Sequence, residues 1–336
     1  MSKKNKTPLG IFIESIGLYF SNFDKFVKYM SFPVLGQVGG VFLVFLLSYL
    51  YVKFIPTNLD FNILIILAIL VTLPGVAIFV KAFWEYLVSY GAVNSMLENM
   101  LKSGKVYDYD AHTELIKRRS FSFVALWFMV GIFSTLAILP IFWVPCGVLA
   151  VFFVLIFQVF TYEPELSPVG CAKKSMLLIH GHFASTFMLI SLVGALTYVF
   201  VPQIIISICD LLKITDYLSN FLTMYLETLP VLEINKYLAV VYLPPITIKG
   251  LATLVTSSLI SQIFIQYTLP LRSILWGMWY RELNGSLPVL EKKVSEKKKY
   301  SRKKPSEKIM EASHKKYGKK KLDRNILKRA MEKDDD

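Results

Sequence analysis

The chain has 336 residues, 54% hydrophobic, 14% aromatic and only 18% charged, with mean hydropathy +0.51. Soluble domains run nearer ~45–50% apolar and ~25% charged, so the composition argues against an ordinary soluble domain and for a polytopic membrane protein. The formal charge of +13 is uneven, because residues 286–336 hold 18 Lys/Arg against 9 Asp/Glu, a net of +9.

Residues 1–7 read as a short basic tail. Lys3, Lys4 and Lys6 before an apolar run look like a signal peptide, but Glu14 interrupts the run and no small-x-small cleavage site follows. The segment is expected to be retained. Residues 8–30 then read as one amphipathic helix, with Leu9, Ile13, Ile16, Tyr19, Phe20, Phe23, Phe26 and Val27 at helical spacing. Such a helix can lie in the plane of the interface.

Residues 32–52 are the first expected span, with Pro33 placed in its first turn, where no donor is needed. Gly36, Gly39 and Gly40 offer a small-residue face for a second helix. Phe61 to about Val80 is the second span, bent at Pro74-Gly75 and continuing as helix to about Met100. Residues 101–120 are polar, irregular over 106–110 and ending in Lys117-Arg118-Arg119.

The stretch 121–162 contains no Asp, Glu, Lys, Arg or His over 42 residues. As one helix it would run about 63 Å, against a hydrocarbon core of ~30 Å. It therefore reads as a hairpin of two crossings, 121–139 and 144–162, turned at Pro140 and Pro145. A short loop to Pro168 leads into an amphipathic helix to about His182. Residues 184–209 are the fifth span, kinked at Pro202, and 251–271 the sixth, continuing as helix to 283. Between them 215–228 can lie on the far membrane surface. Trp276, Trp279 and Tyr280 suit an interfacial aromatic belt. The expectation is an all-α membrane domain over 8–283, six spans in three hairpins, followed by a mostly disordered basic tail at 284–336 that includes a short cationic helix with Leu322, Ile326, Leu327 and Ala330 on one face.

Cation placement orients it. One side takes the N-terminal lysines, Lys102, Lys105, Lys117, Arg118, Arg119, Lys173, Lys174, Arg272, Arg281 and the tail. The other takes only Lys53, Lys213, Lys236 and Lys249, offset by acids. Both termini are expected in the cytoplasm of a bacterial inner membrane. An internal repeat supports this threading: SIGLYFSNF (15–23) and SMLLIHGHF (175–183) share S-x-x-L-x-x-[SG]-[NH]-F just before a span on that side.

The chemistry is sparse. No nucleophile elbow, P-loop, dinucleotide fingerprint or HExxH occurs, and no enzyme activity, cofactor or metal is expected. His180 and His182, at i and i+2, point about 200° apart on a helix. Cys146, Cys171 and Cys209 form no CxxC and read as packing residues. Gln37, Gln158, Gln203, Gln262 and Gln266 read as interhelical hydrogen-bonding groups. Gln262 and Gln266, at i and i+4, are the best pair for a polar path. In the tail, Lys297, Lys298, Lys299, Arg302, Lys303, Lys304, Lys319, Lys320 and Lys321 are the candidate contacts for anionic lipid headgroups or a cytoplasmic partner. Nucleic acid or a ribosome is a further reading of the same charges.

The segment EPELSPVGCAKKS (163–175), then Leu178, Gly181, Phe183 and an apolar span, resembles bacterial six-span proteins: the YciC-like inner-membrane families and the membrane domain of some glycerophosphodiester phosphodiesterases. In these an acidic, proline-bearing turn precedes an Ala-x-x-Ser-x-x-Leu elbow, matched here by Ala172, Ser175 and Leu178. SIGLYFSNF resembles the first elbow of the same families. The resemblance covers about 8–283 and implies architecture. The phosphodiesterase domain is absent, so no hydrolase activity is implied. The functional expectation is a non-catalytic scaffold or envelope-homeostasis component, with a transporter subunit and an insertase-like protein as alternatives.

Overall fold

The computed structural model describes residues 6–55, 60–227, 229–240 and 242–285. All fall in the first of two units, Met1–Pro288 and Val289–Asp336. The described residues are helical throughout, with no strand. Five helical stretches are long and apolar enough to cross a bilayer: Phe23–Phe54, Phe61–Ser103, Pro140–Tyr162, Phe183–Leu211 and Ile248–Asn284. A bent pair, Tyr109–Lys117 and Ser120–Leu136, makes a sixth if counted as one span. These stretches turn large apolar side chains outward: Phe121 is 89% exposed and Phe128, two turns on, 70%. Water would not tolerate that surface and lipid does. The chain is a membrane protein that crosses the bilayer several times.

The expected helix over 8–30 is two helices. α1 (Pro8–Phe20) opens on Thr7, whose hydroxyl accepts from Gly10 N at 3.2 Å, with Pro8 in the position that needs no donor. It stops at Ser21-Asn22. Asn22 is buried and spends its amide on other backbone, donating to Leu18 O at 3.1 Å and Gly104 O at 2.9 Å and accepting from Val106 N at 2.8 Å. α2 (Phe23–Phe54) then runs unbroken into the first span, so Pro33 lies inside the helix rather than in its first turn. Gln37 Nε2, one turn on, donates back to Pro33 O at 2.7 Å.

α3 (Phe61–Ser103) packs along α2 at backbone distance. A Cβ on Gly40 would stand 2.6 Å from Phe79 N, and one on Gly75 2.7 Å from Val44 N. Gly36 meets Ala82 in the same way, whereas Gly39 faces open space and is not part of this seam. α3 ends on Gly104 at φ 71°, the left-handed cap that favours glycine. α4 (Tyr109–Lys117) folds back onto it, held by Ser95 Oγ–His112 Nδ1 at 2.7 Å and Ser89 Oγ–Tyr109 OH at 2.6 Å.

α5 (Ser120–Leu136) is the first arm of the central hairpin. A 3₁₀ turn at Pro140–Phe142 leads into α6 (Trp143–Phe153), so the returning arm begins about where the prolines predict. That arm is not one helix: it breaks at Val154-Leu155 before α7 (Ile156–Tyr162). At the hairpin's base Arg119 donates to Phe160 O at 2.6 Å and lies 3.9 Å over the Phe160 ring.

α8 (Pro168–Ile179) repeats α1. Ser167 caps it by accepting from Gly170 N at 3.2 Å, Pro168 follows, and the helix breaks at His182 before α9 (Phe183–Gly194). Thr7, Gly10, Ser15 and Asn22 correspond to Ser167, Gly170, Ser175 and His182, each 160 residues on. Ser15 and Ser175 are both buried, donating to Ile11 O and Phe152 O. The elbow motif is thus a cap, a buried serine and a break before a span. The α4–α5 pair, bent by 79°, has the same shape without the pattern.

The fifth span changes winding at Ala195–Phe200, a π-helical turn, before α10 (Val201–Leu211). The irregularity therefore precedes Pro202 rather than centring on it. α11 (Ile214–Leu226) and α12 (Val231–Val240) follow, and the Asn235 side chain pins Ile246 by donating to its O at 3.0 Å and accepting from its N at 2.8 Å. α13 (Ile248–Tyr267) and α14 (Leu269–Asn284) are the final pair, separated at Thr268.

Candidate functional site

Two polar assemblies lie within the bundle. The first is a junction at the end where α3, α7 and α14 meet. Gln158 Nε2 donates to Tyr90 OH at 3.0 Å and to Asn94 Oδ1 at 3.3 Å. Tyr162 OH donates to Asn94 O at 2.5 Å. Ser273 Oγ lies 2.9 Å from both Tyr90 O and Asn94 Oδ1. Two turns along α14 from Ser273, Tyr280 OH donates to Glu163 Oε1 at 2.7 Å, and Lys174 Nζ lies 3.5 Å from the same oxygen. Trp279 Nε1 donates to Thr186 Oγ1 at 3.0 Å. Trp276, Trp279 and Tyr280 are therefore buried inside the protein and do not form the expected interfacial belt. α14 is enclosed by α1, α3, α7 and α8, and buried aromatics of this kind need an internal partner for their polar tips.

The second assembly centres on Arg272. Sequence counts it with the cations of one face, but its side chain turns into the bundle. Side chains on a helix lean toward its N-terminus, and α14 runs away from the spans, so Arg272 leans back into them. Its guanidinium donates to Tyr198 OH, to Tyr86 OH at 3.2 Å and to Ile265 O at 3.3 Å. Thr186, beside Trp279, and Tyr198 are 12 residues apart on one span, or roughly 18 Å, so the charge lies well inside from the Trp279 layer. Among the described residues no carboxylate is within ion-pair distance of it, and its Nε has no acceptor.

Arg272 lines a cavity of about 630 Å³ between the central hairpin, the fifth span and α14. The walls are apolar: Phe133, Ala150, Phe157, Val193 and Trp276 are representative. Trp127 is also in the wall, and its buried Nε1 has no acceptor either. Tyr198, 54% exposed, stands where the cavity reaches the outside of the bundle.

The sequence-predicted polar pair is separated. Gln266 Oε1 accepts from Gln37 Nε2 at 3.1 Å, joining α13 to α2, while Gln262 is exposed on the outer face. The two do not form a path: Gln266 is spent on Gln37 and Gln262 is exposed. Gln158 and Gln37 do make the interhelical bonds expected of them. The tail positions Lys297, Lys298, Lys299, Arg302, Lys303, Lys304, Lys319, Lys320 and Lys321, and the short helix around Leu322, lie outside the described residues. His182 stands edge-on to Trp279 at 6.2 Å, and among the described residues no three His, Cys, Asp or Glu side chains gather as a metal site requires. Cys146, Cys171 and Cys209 are free thiols.

Sequence reading missed the Arg272 site because each member alone looks ordinary. A signal was present: an arginine four residues after Thr268 and two after Pro270, on a helix continuous with a span. Comparison with family models, curated proteins and solved structures finds no match to this chain.

Proposed function

We propose that the chain is a non-catalytic scaffold or envelope-homeostasis component of a bacterial inner membrane, related to the YciC-like six-span proteins. Its termini are cytoplasmic, and its basic tail engages anionic headgroups or a cytoplasmic partner. One observation carries the reading. The elbows, the long extension of α3, the base of the hairpin and α14 interlock at a single end of the bundle. Lys6 N donates to Glu282 at 3.1 Å, Lys117 pairs with Glu85 at 2.6 Å, and Asn94 and Gln158 tie three helices together. Most of the polar side chains there are spent on one another, which suits a rigid platform beside the bilayer surface more than a turnover site. The cations gather at the same end, as the positive-inside rule asks of a cytoplasmic face.

Two measurements test this. Protein reconstituted in vesicles should pass no solute, and substrate-dependent flux would refute the scaffold. Removing residues 286–336 should abolish co-sedimentation with anionic vesicles while leaving the membrane domain folded; unchanged binding would refute the role of the tail. A transporter subunit is the second reading, supported by the cavity beside Arg272, and the flux assay decides between them.

A further inference from the structure

We propose that the cavity beside Arg272 holds one single-chain anionic amphiphile, its acyl chain against the hairpin and its oxyanion on Arg272 and Trp127. The inference is independent of the scaffold reading: flux would sink that reading and leave this one standing.

A cation within a span is costly, ~2.5–3.5 kcal/mol even on the mildest scale, and is usually found with a partner or at a functional position. Arg272 has no carboxylate partner among the described residues. Its side-chain partners are the tyrosines Tyr198 and Tyr86, which are neutral. Of its five N–H donors, three are engaged by the contacts given above. Its Nε is enclosed without an acceptor. Guanidinium pairs best with a carboxylate or phosphate oxygen, through charge-assisted bonds.

A second donor points the same way. The indole N–H of Trp127 has no acceptor function of its own, and it is buried and unpaired in the wall of the same cavity. Buried donors left unmade are rare and call for an explanation. Both residues line one apolar cavity, and a ligand that brings acceptor oxygens and a hydrocarbon chain answers both. The volume, about 630 Å³, lies within the ~300–1,000 Å³ of small-molecule sites. The lining continues from Arg272 and Tyr90 to Ala137 and Trp143 at the turn of the hairpin, an elongated run of the kind an acyl chain fills. A fatty carboxylate and a lysophospholipid share this chemistry.

The test uses the full chain in a neutral detergent. Probes are palmitate, lysophosphatidylglycerol and hexadecanol, each competing with a fluorescent polyene fatty acid. At least one anionic probe should displace it saturably, the tighter of the two identifying the head group, and hexadecanol should be at least tenfold weaker. Arg272→Gln should weaken the anionic probe tenfold or more and Trp127→Phe several-fold. Gly147→Phe should block binding with the fold intact, because a Cβ at Gly147 meets nothing within 4 Å. Equal affinity for hexadecanol, or wild-type binding by both Arg272→Gln and Gly147→Phe, would overturn the proposal.

Discussion

Asn22 Oδ1 accepts the backbone N–H of Val106 at 2.8 Å, across 84 positions of sequence. With the bond from its Nδ2 to Gly104 O, a single amide closes the break before the first span and pins the loop that follows the second. Both residues are buried. Asn22→Ala would leave the Val106 N–H and the Gly104 carbonyl without their partner. Val106 is buried and Gly104 exposed, so one buried group is orphaned and the loss should be about 1–3 kcal/mol. Unfolding by sodium dodecyl sulfate in mixed micelles reads it out, and a loss under ~0.5 kcal/mol would mean that the clip is dispensable.

The α2–α3 seam gives a prediction with an internal control. At Gly40 and Gly75 an added methyl runs into backbone, which cannot move aside, whereas Gly39 on the same helix faces nothing within 4 Å. Gly40→Ala and Gly75→Ala should each lower the melting temperature in detergent markedly. Gly39→Ala should leave it unchanged or raise stability by ~0.4–1 kcal/mol through the unfolded chain. Equal effects at Gly39 and Gly40 would contradict the packing.

Gln37 and Gln266 join α2 to α13 by a bond of 3.1 Å. Interhelical hydrogen bonds in membranes average ~0.6 kcal/mol, so a double-mutant cycle on Gln37→Leu and Gln266→Leu should return a coupling near that size. Replacing exposed Gln262 by Leu in the same background should show no coupling to Gln37.

Burial pushes the Cys171 thiol up to about 11, with Arg119 nearby opposing the rise. At pH 8 roughly one thiol in a thousand is then ionised, against about a quarter for a free cysteine with pKa ~8.5. Maleimide labelling of native Cys171 should be negligible at pH 8 and appear on denaturation. The sign for stability follows, since the folded state favours the protonated thiol. This contribution is complete below the unfolded pKa of ~8.5 and is lost as pH climbs toward 11. Cys171→Ala should flatten that alkaline decline.

Threading can be checked with single cysteines in a background lacking the native three. Lys236 and Lys105 are both exposed, on α12 and on the loop after α3. Lys236→Cys should react with an impermeant maleimide added outside intact cells, and Lys105→Cys only after lysis. The reverse pattern would invert the proposed orientation.

The spans and the elbows were legible because lipid imposes long uncharged runs and because serine or threonine before proline is a local helix start. The break after α1 was less so. Leu9 through Val27 keep helical periodicity straight across Asn22, and only the tertiary partners at Gly104 and Val106 explain why the helix stops. The fate of polar groups was legible in kind and not in pairing. Gln37 needed a partner, but nothing in one sequence says that it is Gln266 and that Gln262 faces outward. Arg272 was the largest departure, because its direction depends on which way α14 runs relative to the spans.

The π-helical turn at Ala195–Phe200 has a consequence for how the fifth span tolerates change. Inward positions run Thr186, Leu189, Val193 and Thr197, and the next is Pro202, five residues on instead of three or four. The wider turn absorbs one residue that a regular helix would have no place for, worth about 100° of rotation. Deleting Val199 would let the span rewind with Pro202 still on its inner side. The same deletion at Met188 would swing the side chains that follow by that angle and carry Leu189, Val193 and Thr197 off the inner face. A single helix thus carries one stretch where its length is negotiable, bounded by stretches where it is not.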